Sequence, residues 1–147
     1  MNEFRFRRIP VIVALTVAGL VWPAAALQAG DFRVSGTDET TFTKGNQGEG
    51  ISAGLAQPGG QFTGVWSGRF KGYTISGVES WDFGGGHTLT WFFEIEYSNK
   101  NLISTGAYVV IDGTGRFAGA SGSADYVRMG HGDGTGEFVL EGTLLVP

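Results

Sequence analysis

The chain has 147 residues, with 10 Lys and Arg against 14 Asp and Glu, no Cys, two His and 26 Gly. Without cysteine there is no disulfide framework, thiolate metal site or thiol nucleophile, and two histidines leave little material for an imidazole metal centre. A net charge of −4 with no basic run argues against a phosphate-backbone binder, so nucleic acid is not an expected partner.

Residues 1–29 have the order of a secretory signal peptide. Arg5, Arg7 and Arg8 precede an apolar run from Ile9 to Val21, and small residues around Ala26 and Ala29 offer a cleavage site. The alternative is an uncleaved anchor, but the run is well short of the roughly 20 residues that span a bilayer. An exported chain, periplasmic or secreted and without membrane attachment after cleavage, is therefore expected. Losing three arginines and Glu3 leaves residues 30–147 with 7 basic and 13 acidic residues. Sixteen aromatics remain in that stretch, which argues for a folded domain despite the glycine content.

From residue 31 onward nearly every ordered stretch alternates with period two, the signature of half-buried strands. Phe32, Val34, Gly36, Thr40 and Phe42 open the domain. Residues 44–60, rich in glycine, are expected to form a long mobile loop near one mouth. Phe62, Gly64, Trp66, Gly68 and Phe70 then share a face, as do Ile75, Gly77, Glu79, Trp81 and Phe83. After the turn signal Gly84-Gly85-Gly86, His87, Leu89, Trp91, Phe93, Ile95 and Tyr97 alternate with Thr88, Thr90, Phe92, Glu94 and Glu96. Ile103–Ile111, Gly119–Arg128 and Glu137–Val146 complete seven or eight strands, with Asp112-Gly113 a hairpin signal. Interior strand glycines suit the bends of a small barrel. The expected fold is all-β, a single antiparallel β-barrel of about eight strands with room for a small ligand; a sandwich is the runner-up.

The stretch Tyr108-Val109-Val110-Ile111, Gly113-Thr114-Gly115-Arg116-Phe117, a small-residue strand to Tyr126, and Phe138 to Leu144 closing on Gly142-Thr143-Leu144 resembles the allene oxide cyclase-like and dirigent-like β-barrel proteins. The same glycines match a dinucleotide fingerprint in letters, but no helix follows them. The resemblance implies an eight-stranded barrel around an apolar cavity, dimeric or trimeric, with Phe117 plugging one end. It also implies cyclisation or coupling of a reactive intermediate without a cofactor. Asp38 and Glu39 stand where the plant cyclases carry a first-strand carboxylate, without that family's neighbouring proline and asparagine.

Candidate site residues follow from phase. Glu79 shares its face with Ile75, Trp81 and Phe83; inside a barrel, desolvation would raise its pKa and fit it for acid–base work. With the faces reversed it would be solvated. Asp38, in phase with Phe32, Val34 and Phe42, is the second candidate acid or base, and Tyr108 would orient the substrate. Trp66, Trp81, Trp91, Phe93 and Tyr126 would shape the cavity, and His87 is a candidate ligand contact at a strand end. Glu94 and Glu96 point the same way but share their row with threonines, as a solvated face does. Residues 130–137 have a calcium-loop composition with too few carboxylates for the ion, so no metal or cofactor is expected. The expected function is enclosure of a small, mostly apolar or aromatic molecule, with isomerase- or cyclase-like turnover. The alternatives are a binding protein without turnover and a structural barrel with a filled core. Phe92, Val65 and Leu145 on outer rows point to a homodimer or homotrimer.

Overall fold

The computed structural model describes residues 30–147; the expected signal peptide lies outside them. Eight antiparallel strands follow one another round a closed barrel: β1 (Asp31–Lys44), β2 (Gln47–Gln57), β3 (Gly60–Lys71), β4 (Thr74–Asp82), β5 (Thr88–Tyr97), β6 (Ile103–Gly113), β7 (Ser121–Gly130) and β8 (Thr135–Leu145). Each strand pairs with its chain neighbours, and β8 returns to β1 with Val34 opposite Leu140. Closure leaves no open sheet edge.

The alternation decides what faces inward. Phe32, Val34, Phe62, Trp81, Leu89, Trp91, Phe93, Tyr108, Tyr126, Phe138 and Leu140 are buried inside. The outer rows carry exposed Arg33, Glu39, Glu49, Arg69, Lys71, Glu94, Glu96 and Asp125. These charges alternate in space with exposed apolar residues, among them Val65, Phe92, Val109, Ile111 and Leu145.

Residues 44–60 are not a loop. Residues 47–57 form β2, hydrogen-bonded to β1 and β3 along its length. Its inward row is Gly48, Gly50, Ser52, Gly54 and Ala56, while Ile51 and Leu55 are exposed. The strand carries no hydrophobic alternation because large rings from β3 occupy the space its side chains would fill. A methyl at Gly50 would lie 2.5 Å from Trp66 Nε1.

The Asp112-Gly113 signal also resolves differently. Both residues still belong to β6, and the chain crosses to β7 through a 3-10 turn at Gly115–Phe117. That turn sends Phe117 into the barrel end, where its ring meets Phe83 at 4.7 Å. Arg116 covers both rings, 5.5 and 5.0 Å from their centroids, and donates to the Gly59 carbonyl. This end is closed. Above it Phe62 stacks on Trp81 at 4.2 Å, Trp81 meets Trp91 at 5.1 Å and Phe32 meets Trp91 at 5.5 Å. These rings are the floor on which the open end rests.

Candidate active site

A cavity of about 330 Å³ occupies the open end of the barrel. At roughly 30 Å³ per water-sized group it has room for about a dozen non-hydrogen atoms. Aromatic rings, among them Trp66, Phe70, Phe93, Tyr108, Tyr126 and Phe138, share its walls with polar groups that include Asp38, Thr40, Glu79, Ser104 and Arg128. The stacked sequence Phe93–Tyr108–Tyr126, at 5.5 and 5.2 Å, forms one continuous wall. The β5–β6 and β7–β8 connections form the rim through Ser98, Asn99, Leu102, Gly132 and Gly134.

Glu79 is the deepest polar group. Its side chain faces inward from β4, and the residue is 3% exposed. Ser52 of β2 donates to Oε1 at 2.5 Å, and Tyr108 of β6 donates to Oε2 at 2.8 Å. The arrangement depends on Gly64 of β3, where a methyl would lie 2.2 Å from Ser52 Oγ and 3.0 Å from Glu79 Oε1. Burial raises the Glu79 pKa above the ordinary carboxylate value. The hydrogen bonds from Ser52 and Tyr108 oppose that rise, as does the nearby Trp81 indole, and the Asp38 charge adds to it. The Trp81 N–H completes no hydrogen bond of its own. Burial also pushes the Tyr108 phenol well above its usual range, reinforced by the Glu79 charge. Tyr108 is therefore a neutral donor and cannot serve as a phenolate base at neutral pH.

Asp38 of β1 and Arg128 of β7 form a second polar group on the same wall. Arg128 Nε lies 2.8 Å from both Asp38 oxygens and Nη2 lies 2.6 Å from Oδ1. The two side chains are 12% and 19% exposed. Tyr126 makes a longer contact to Asp38 Oδ2 at 3.4 Å. Burial alone would lower the Arg128 pKa, but its hydrogen bonds to Asp38 and the carboxylate charge outweigh burial and raise it. Burial likewise raises the Tyr126 phenol well above its usual range.

Of the nine residues singled out in the sequence, Glu79, Asp38, Tyr108, Trp66, Phe93 and Tyr126 line this cavity. Trp81 and Trp91 are wholly buried in the floor beneath it, because the barrel's width at that level is filled by rings. His87 is at the opposite, closed end. There its Nδ1 accepts the Arg116 backbone N–H at 3.1 Å, so it is part of the plug rather than a contact of the cavity. The glycine-rich 130–137 segment is the β7–β8 turn, where the Asp133 carboxylate accepts from Thr135 N and Oγ1. Among the described residues no three acidic or imidazole groups gather as a metal site.

Two polar residues that shape the site, Arg128 in the cavity lining and Ser52 bonded to Glu79, were not among the sequence candidates. Arg128 was within reach, being two residues beyond Tyr126 on an alternating strand. Ser52 was not, since the strand carrying it offers no apolar pattern. Comparison of the chain with protein-family models, curated proteins and solved structures gives no match.

Proposed function

We propose that this exported barrel encloses a small, mostly apolar molecule and that Glu79 moves a proton on it, as an isomerase or cyclase acting on a reactive intermediate would. The observation that carries the reading is a buried carboxyl group, held on both oxygens, in the wall of an open cavity lined in large part by aromatic rings. A structural barrel has no need of the cavity, and a simple carrier has no need of the acid. The likeness of the Gly113–Phe117 region to allene oxide cyclase-like and dirigent-like barrels is one of fold, and it supports the enclosing barrel rather than the chemistry.

In the protonated form Glu79 can give its proton to an oxygen or carbon of the bound molecule. The carboxylate left behind is stabilised by the Ser52 and Tyr108 hydroxyls, and it can take a proton from a neighbouring carbon to close the cycle. The net change is a rearrangement with no redox step. Proton transfer of this kind contributes about 10²–10⁴ in rate. Trp66 and Phe93 add the second element, since holding a flexible intermediate in one reactive shape removes entropy from the barrier. Tyr108 positions through its neutral phenol.

The test begins with native mass spectrometry of the mature protein purified from its source, which reports both a retained small molecule and the subunit count. That molecule is then incubated in D₂O with wild type and with Glu79→Gln. Wild type is expected to place deuterium on carbon, with the variant slower by about 100-fold or more. Binding to both proteins with exchange in neither would leave a carrier without turnover. An interior that retains no small molecule, natural or added, would overturn the whole reading.

A further inference from the structure

Among the described residues Arg128 is the single cationic one lining the cavity, and its fork is already spent on Asp38. Nε and Nη2 face the carboxylate, while Nη1 makes no hydrogen bond among the described residues. Nη1 lies beside the rim, where a methyl at Gly130 would approach it to 2.8 Å. The guanidinium lies against Gly136, where a methyl would lie 2.5 Å from Cζ. Glycine on both sides leaves room for the group, Asp38 holds it, and Nη1 lies over the cavity-lining residue Gly130. The second acid of the cavity, Glu79, has no basic partner.

We propose that the Asp38–Arg128 pair is a charge filter, admitting uncharged oxygen-bearing apolar molecules and excluding carboxylates of the same size. This deepens the enclosure reading above and rests on it. The free Nη1 edge can donate to a carbonyl, ether or hydroxyl oxygen at no cost in charge. An incoming carboxylate would have to share Arg128 with Asp38 at close range, and no other cation among the described residues lines the cavity to compensate. Like charges forced together in a partly desolvated site lose affinity steeply. An organic cation meets the guanidinium edge at the same entrance. Asp38 is on this reading a specificity-determining residue, acting by the charge it holds in place.

Three naphthalenes of one skeleton test it: 2-acetylnaphthalene, 2-naphthoate and 2-naphthylmethylammonium, each with about a dozen non-hydrogen atoms to match the cavity. Affinities for the mature protein are measured by titration calorimetry at pH 7. The ketone is expected to bind at least about tenfold more tightly than either ion. In Asp38→Asn the guanidinium is released, and naphthoate should gain at least about tenfold while the ketone changes little. The double variant Asp38→Asn/Arg128→Gln carries neither charge, so it guards against misfolding of the single variant, and naphthoate should stay weak there. Equal binding of all three compounds to wild type, or a naphthoate gain as large in the double variant as in the single, would overturn the filter alone. Failure of all three to bind would overturn the enclosed cavity and the filter together.

Discussion

The neutral isostere Glu79→Gln isolates the cost of keeping a carboxylate at the base of the cavity. Two hydrogen bonds reach Glu79, from Ser52 and Tyr108. Bonds to a charged group contribute about 1.5–3 kcal/mol each. For the pKa to be raised despite them, desolvation of the carboxylate must exceed their sum, which agrees with several kcal/mol for an ion buried in protein. The sign then follows from proton linkage. With a folded pKa above its unfolded value of 4.5, Glu79 holds a proton in the native state after the unfolded chain has lost it. Its contribution to stability is complete below pH 4.5 and is lost as pH rises through the folded pKa. Within that window wild type should lose about 1.4 kcal/mol per pH unit relative to Glu79→Gln. Urea unfolding of both proteins from pH 4 to pH 8 measures the difference, in which the titration of other groups largely cancels. The two should be close at pH 4, with the variant more stable at pH 8. If wild type instead gains on the variant as pH rises, the carboxylate is stabilised in its charged form and the reasoning fails.

Other perturbations separate the parts of the fold. Arg128→Met leaves Asp38 partly buried and unpaired and should cost about 3–5 kcal/mol, with most of it recovered on adding Asp38→Asn, as read by denaturant midpoints. Gly64→Ala forces a methyl against Ser52 and Glu79 and should cost about 1–3 kcal/mol while breaking the Ser52 bond; unchanged stability would mean that the β2 and β4 side chains close over Gly64 less tightly than described. Trp91→Ala empties part of the barrel floor and should lower stability by about 3–5 kcal/mol. The adjacent pair Phe92→Ser and Phe93→Ser tests which face is inward. Phe93 is 2% exposed and Phe92 42%, so the first change should be within about 0.5 kcal/mol and the second far more costly. If Phe92 is covered by another subunit, its replacement should also reduce the native mass.

The strands β3, β4, β5 and β8 were legible because their inward residues are large and apolar and their outward ones polar. Phase alone therefore placed Glu79 and Asp38 with the aromatic rings rather than with Glu94 and Glu96. Local sequence could not show β2, whose inward row is glycine, serine and alanine and whose apolar Ile51 and Leu55 face outward. That inversion exists only because Trp66 and Phe70 from β3 fill the space in front of it, a fact of register between strands. Level along the barrel axis was equally hidden. A strand's period says in or out, but not whether a residue such as His87 or Trp91 lies at the plug, in the floor or at the mouth. Closure of eight strands set those levels. It brought Ser52, Glu79 and Tyr108 together from β2, β4 and β6, and it set Asp38 against Arg128 across 90 residues of chain. The sequence by itself determined a run of strands in which Glu79 and Asp38 share a face with the aromatic rings, because alternation is a local property of each strand; closure turned that face inward. Which acid stands alone, which is paired, and which rings leave room for a ligand were decided by the tertiary structure, because they depend on how the strands are staggered.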